Sequence, residues 1–305
     1  MTQKNSIEQD LISVRDFIRY AVSRFQAAKL DYGHGTATVF DEAVFMVLEG
    51  LHLPVDQLEP WWDARLTMEE RGRLSGLIDA RVTTRKPAAY LLQKSYLQGI
   101  PFYIDERALV PRSFIAEILC DDNCFSPIVD PATVTRVLDL CTGSGCLAIV
   151  AAYLFPEAHI DAVDLSADAL DVARRNIAEH GMEDRITLYQ GDLYAPVMDQ
   201  TYDLILANPP YVDDDEMAVL PPEYQAEPAM ALAGGADGLD LVQRILAGAP
   251  VRLNPEGGLL CELGTGRERL EDSAPAVDFL WLDTAESSGE VFWLTREQMP
   301  QKTRK

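Results

Sequence analysis

An α/β fold built on a mostly parallel sheet is predicted by three features of the chain. Short strand-like segments at residues 137–140, 158–163 and 186–190 and the apolar run at 204–206 alternate with helix-patterned segments. Parallel strands covered on both faces read as such runs, with helical crossovers between them. The first run opens directly into a Gly-rich turn, Cys141-Thr142-Gly143-Ser144-Gly145-Cys146, and a helix from Leu147. The run Leu204-Ile205-Leu206 stops abruptly at Asn208-Pro209-Pro210-Tyr211. Neither proline has a backbone N–H, so ladder bonding ends there.

In chain order, residues 6–85 are expected to be helical. Ile7, Leu11, Val14, Phe17, Ile18, Val22 and Phe25 recur at helical spacing, and Ser6 with Gln9 forms a capping pair. A second helix is expected over 39–51 on Val44, Val47, Leu48 and Leu51, with Pro54 ending that region. A third runs from the Thr67/Glu70 cap to Val82. Trp61 and Trp62 read as core between helices, with a partner surface as the alternative. Residues 86–111 change character. Ser95-Tyr96-Leu97 and Pro101-Phe102-Tyr103-Ile104 flank Gly99 and suggest a hairpin at a domain junction. The expected organisation is a helical unit at 1–85, a hairpin linker at 86–111 and an α/β unit at 112–305.

Within the last unit a helix is expected at 114–119 and another at 167–180, with Gly181 as its C′ residue. A helix at 240–253, a strand at 257–263 and a closing pair at 279–283 and 290–295 follow. Residues 298–305 form a polar, basic tail expected to fray. The acids Asp213, Asp214, Asp215 and Glu216 read as a solvated loop or as a rim that draws in a basic segment.

The turn glycines allow positive φ and close approach of a ligand. The spacing is not the dinucleotide pattern Gly-x-Gly-x-x-Gly, because position 148 is Ala148. Asp139, Asp164 and Asp192 fall in series at three consecutive strand ends. Ligands of open α/β sheets bind beyond those ends, and a carboxylate at the end of the second strand suits ribose hydroxyls. Asp192 suits an adenine amine, and Leu165 and Leu193 are placed to sandwich the ring. Asn208 offers a side-chain carbonyl and the Asn208-Pro209 segment offers backbone carbonyls, acceptors for both hydrogens of an –NH₂ group. Pro209 holds Asn208 extended, and Tyr211 can pack flat on a planar group. The substrate is then an amide or an aromatic amine.

Composition narrows the class. The chain has 305 residues, is 48% hydrophobic and carries a net charge of −23. That charge repels a phosphate backbone and attracts a basic protein. No apolar run approaches ~20 residues, so no membrane span is expected. The N-terminus lacks the apolar core of a signal peptide. Five cysteines without ligand spacing suggest reduced thiols in a cytoplasmic protein and no metal.

On these motifs, residues from about 112 to 305 resemble the class I S-adenosylmethionine-dependent methyltransferases. Asn208-Pro209-Pro210-Tyr211 resembles the motif of the amino-methylating members, which act on adenine or cytosine in DNA or on protein glutamines. Glu227-Pro228, Ala231-Leu232 and Gly234-Gly235-Ala236-Asp237-Gly238-Leu239 resemble a signature of the protein-(glutamine-N5) methyltransferase family, as does the N-terminal third. The branch acting on translation termination factors is expected to carry Ile-Pro-Arg-Pro where this chain has Val110-Pro111-Arg112-Ser113. The departure points to the branch that modifies the third protein of the large ribosomal subunit.

The resemblance implies a Rossmann-like, mostly parallel seven-stranded sheet. It implies that S-adenosyl-L-methionine binds Asp139, Cys141, Thr142, Gly143, Ser144, Gly145, Asp164, Leu165, Asp192, Leu193 and Asn208. Asn208, Pro209 and Tyr211 would serve catalysis, and Asn208, Pro209, Pro210 and Tyr211 the substrate glutamine. Arg112 reads equally as a cofactor-pocket residue or a surface cation. Two rivals stand beside this reading. A DNA adenine methyltransferase needs a base-flipping surface, which the acidic charge disfavours. A non-catalytic binding protein would not need Asn208.

Overall fold

The computed structural model describes residues 8–121, 123–125, 128–285 and 287–299. The cap expected at Ser6 and the tail from residue 300 lie outside them. Contacts divide the chain into two units: Met1–Ser95 with Pro221–Ala226, and Tyr96–Leu220 with Glu227–Lys305. Residues 86–111 thus fall on both sides of the division.

The first unit packs α1 (Val14–Ala28), α2 (Val39–Gly50) and α3 (Met68–Thr84) around Phe17, Ile18, Phe25, Met46, Leu48, Leu74 and Ile78, all buried. The helical pattern is interrupted: residues 8–10 are helical, and the long helix starts at Val14 after a break at 11–13. Ser13 Oγ accepts from Asp16 N–H while the Asp16 carboxylate accepts from Ser13 N–H, a capping box that satisfies the first turn. Thr67 and Glu70 cap α3 reciprocally, as expected. Trp61 packs against this core, but Trp62 is exposed, contrary to its reading as core. Ion pairing holds the centre. Arg81 is fully buried, with Nε 2.7 Å from Glu42 Oε1. Glu223, also buried, lies 2.8 Å from Arg85 and 3.6 Å from Arg81, and accepts from Asp31 N–H. Charges survive burial only when paired, so Glu223 makes residues 221–226 part of this unit. A short α4 (Ala88–Leu92) follows. Strands β1 (Ser95–Leu97) and β2 (Ile100–Phe102) form the expected hairpin. Gln98 and Gly99 both take positive φ at its turn, which suits the strand twist.

The second unit continues with α5 (Phe114–Cys120), β3 (Arg136–Leu140), α6 (Cys146–Leu154), β4 (His159–Asp164), α7 (Ala167–Glu179) and β5 (Ile186–Gln190). Then come β6 (Tyr202–Ala207), α8 (Asp214–Val219), α9 (Asp240–Gly248), β7 (Leu253–Glu262), α10 (Arg267–Ser273), β8 (Leu280–Leu282) and β9 (Val291–Thr295). The seven strands run in the order β5-β4-β3-β6-β7-β9-β8. All neighbours through β7 are parallel, and β9 pairs antiparallel with both β7 and β8. The strand order reverses between β3 and β6, which is the switch point where such sheets bind ligands. Both sheet faces are covered: Val137, Leu204 and Leu206 belong to one apolar cluster and Leu138, Leu140 and Ile205 to the other. Gly181, at φ +65°, ends α7 as its C′ residue. The acidic run is a helix start, not a loop. Asp213 caps α8 by accepting from Glu216 N–H, and acids favour a helix N-terminus. Among the described residues no helix is long and apolar enough to cross a membrane.

Candidate active site

Leu140 pairs with Ala207 across the switch point, so Cys141 and Asn208 leave the sheet side by side. A cavity opens beyond them. It is lined by Cys141, Thr142, Gly143, Ser144, Asp164, Leu165, Asp192, Leu193, Asn208 and Pro210 of the expected residues. Asp139, Gly145, Pro209 and Tyr211 stand outside the lining.

Two of these outer residues shape the turn. Asp139 is fully buried, and its Oδ2 accepts from Thr142 Oγ–H at 2.5 Å and from Ala148 N–H at 3.1 Å. Burial pushes its carboxyl up to about 7. It locks the turn onto α6. Gly145 caps that helix at φ +79°, and a Cβ there would sit 3.1 Å from the Ala173 Cβ. Asn176 adds a third tie by donating from Nδ2 to the Ser144 carbonyl at 2.9 Å.

At the end of β4, Asp164 accepts from Gly143 N–H and Ser166 N–H, each at 2.8 Å. Burial raises its pKa while these bonds oppose the rise. A carboxylate has about four acceptor sites, so capacity remains for a vicinal diol. Leu165, Leu193 and Leu241 offer apolar walls for a planar ring. Asp192, beyond β5, is half exposed and paired with Arg244 at 2.6 Å. Burial pushes the Cys146 thiol up to about 12 and raises that of Cys141. Burial thus favours the protonated thiol at both positions.

Asn208 donates from Nδ2 to the Arg112 carbonyl at 3.4 Å, and among the described residues no donor is bonded to its Oδ1. Tyr211 is anchored by two neighbours. Its hydroxyl donates to Glu262 at 3.3 Å, and its ring packs so closely on Gly264 that a Cβ would meet it at 2.7 Å. Arg112 is no surface cation. It lines the cavity and pairs with Glu227 through two contacts of 2.7 Å. Sequence reasoning gave Glu262 no role. Its signal was available, a carboxylate closing the apolar strand Leu259-Leu260-Cys261, as Asp164 closes β4.

Sheet order, turn and strand-end motif together define a class I methyltransferase. The methyltransferase small domain matches residues 124–220. The ribosomal protein uL3 glutamine methyltransferase of Bradyrhizobium diazoefficiens is 56% identical over 290 residues, covering 93% of this chain and 91% of that protein. The protein of the same description from Bordetella pertussis is 54% identical over 296 residues, covering 97% and 99%. The crystal structure of a methyltransferase from Pyrococcus furiosus aligns at a TM-score of 0.49 with 19% identity, over 72% of this chain and 97% of that one. The chain belongs to the family of ribosomal protein uL3 glutamine methyltransferases.

Proposed function

We propose that this enzyme transfers a methyl group from S-adenosyl-L-methionine to the side-chain nitrogen of a glutamine in ribosomal protein uL3. The observation that carries the reading is Asn208. It stands at the switch point beside the cavity, with Nδ2 engaged by Arg112 and Oδ1 left to accept. Bound cofactor supplies an electrophilic methyl on a sulfonium, whose sulfur leaves with the bonding pair. The Asp164 carboxylate would accept from the ribose, and the turn 141–146 would take the methionyl end. Asn208 Oδ1 and the Pro209 carbonyl would accept both amide hydrogens of the glutamine. That returns electron density to a nitrogen whose lone pair is delocalised, and points it at the methyl carbon. Such orientation contributes up to ~7–11 kcal/mol in favourable cases. The nitrogen gains the methyl and gives up one proton to solvent.

The names of the relatives support uL3 as substrate. The −23 charge supports a basic protein partner in the cytoplasm rather than nucleic acid. The test offers purified uL3, a termination factor and DNA in competition with labelled cofactor, and maps the methyl by mass spectrometry. Label on a uL3 glutamine is expected. Label concentrated on a termination-factor glutamine or on DNA would overturn the reading.

A further inference from the structure

Arg112 and Ser113 are neighbours in sequence, and each ends on a different buried carboxylate. Arg112 Nη1 and Nη2 lie 2.7 Å from Oε1 and Oε2 of Glu227, a bidentate pair. Glu227 also accepts from Val110 N–H at 3.1 Å, so it grips the same strap of chain twice. Ser113 Oγ–H donates to Glu262 Oε2 at 2.7 Å, and Phe114 N–H donates to the same oxygen at 3.0 Å. Each carboxylate is thereby tied to one end of Asn-Pro-Pro-Tyr. The Arg112 carbonyl accepts from Asn208 Nδ2, and Glu262 Oε1 accepts from the Tyr211 hydroxyl.

We propose that Glu227 and Glu262 are positioning residues for methyl transfer. Glu227 acts through the Arg112 carbonyl, which selects the amide orientation of Asn208. Were that carbonyl to move, the Asn208 side chain would turn over about χ2. Its –NH₂ would then face the –NH₂ of the substrate, two donors with no acceptor between them. Glu262 fixes the far end of the motif through Tyr211. The ties of these carboxylates run to Val110, Arg112, Ser113, Phe114 and Tyr211, at the Asn-Pro-Pro-Tyr side of the cavity, whereas Asp164, Leu165 and Leu193 form its nucleoside side. The loss should therefore fall on turnover more than on cofactor affinity. This inference rests on the proposed function and deepens it.

The test compares wild type with E227Q and E262Q, each nearly isosteric. Glu227→Gln keeps one oxygen for Val110 N–H but loses the bidentate charge pair. We expect kcat to fall at least tenfold in each variant. KM for S-adenosylmethionine and the Kd for S-adenosylhomocysteine should stay within twofold, and E227A should fall further than E227Q. Should a glutamine variant fail to fold, R112K and S113A interrupt the same two ties and are read the same way. A kcat within threefold of wild type would overturn the inference. So would a fall in kcat matched by an equal loss of S-adenosylhomocysteine affinity and of Tm, which a purely structural pair would give. The ratios are read on whichever substrate the wild-type enzyme labels, so an error in substrate is seen separately in the wild type.

Discussion

Gly143 N–H donates to Asp164 Oδ2 across 2.8 Å, joining the turn after β3 to the end of β4. The turn and the carboxylate proposed for the ribose are thus one preformed object. Asp164→Ala should remove both this tie and the acceptor for the ribose. Loss of hydrogen bonds to a charged group costs about 1.5–3 kcal/mol, or roughly tenfold to 150-fold in the Kd for S-adenosylhomocysteine. Isothermal titration measures it, and an unchanged Kd would remove Asp164 from the cofactor site.

Asn208→Ala should abolish turnover and leave binding of uL3 nearly intact. One amide contact is small against a protein interface, yet on the proposed reading it aligns the nucleophile together with the Pro209 carbonyl. Single-turnover rates and a separate binding assay distinguish the two effects. Turnover within twofold of wild type would refute the role.

Gly145→Ala tests the turn itself. A side chain at φ +79° is strained, and its Cβ would press on Ala173 at 3.1 Å. Such strain costs ~1–3 kcal/mol. A lowered Tm and weaker cofactor binding are expected together. A Tm equal to that of wild type would show that α6 and α7 yield freely.

Glu262 sets a pH dependence. Burial pushes its carboxyl up to about 7, against the ordinary 4.5, despite hydrogen bonds from Ser113, Phe114 and Tyr211. Tyr211 and Cys261 are titratable groups beside it, and Arg112 and Glu290 act in turn on Tyr211. A raised folded pKa means that the folded chain holds a proton which the unfolded chain releases. The stability from this group is full below about 4.5 and is lost as pH rises through about 7. Asp139 adds the same slope to both wild type and Glu262→Gln, so it cancels in their difference. Urea unfolding at pH 5.5 and pH 8 should therefore show wild type losing ground to the variant at the higher pH, by on the order of 2 kcal/mol. An identical difference at both pH values would mean that Glu262 keeps an ordinary pKa.

Charge steering should show in salt. The Debye length falls from ~10 Å at 0.1 M to ~3 Å at 1 M, so free uL3 should be methylated faster at low salt. A rate independent of salt would remove the −23 charge from substrate capture.

The strands and their ends were legible in the sequence because their signals are local. Leu204-Ile205-Leu206 announces burial, and Pro209-Pro210 announces the stop. What escaped is set by partners far away in the chain. Arg112 finds Glu227 across 115 positions, and no periodicity links them. The neighbours that fix Tyr211 are also remote: Gly264 lies against its ring and Glu262 takes its hydroxyl. The break at 11–13 has a similar origin: Ser13 caps α1 through Asp16 and bridges to Arg65, a partner far along the chain.

Residues 221–226 belong with the N-terminal helices, although more than a hundred residues of the other unit precede them. The helical unit is therefore discontinuous in sequence, and it cannot be exchanged as a cassette. A chimera carrying a foreign module in place of residues 1–95 would keep Glu223 but discard Arg81 and Arg85, the cations that neutralise it. Evolution faces the same constraint. An exchange of the N-terminal helices that keeps this packing must carry residues 221–226 with it.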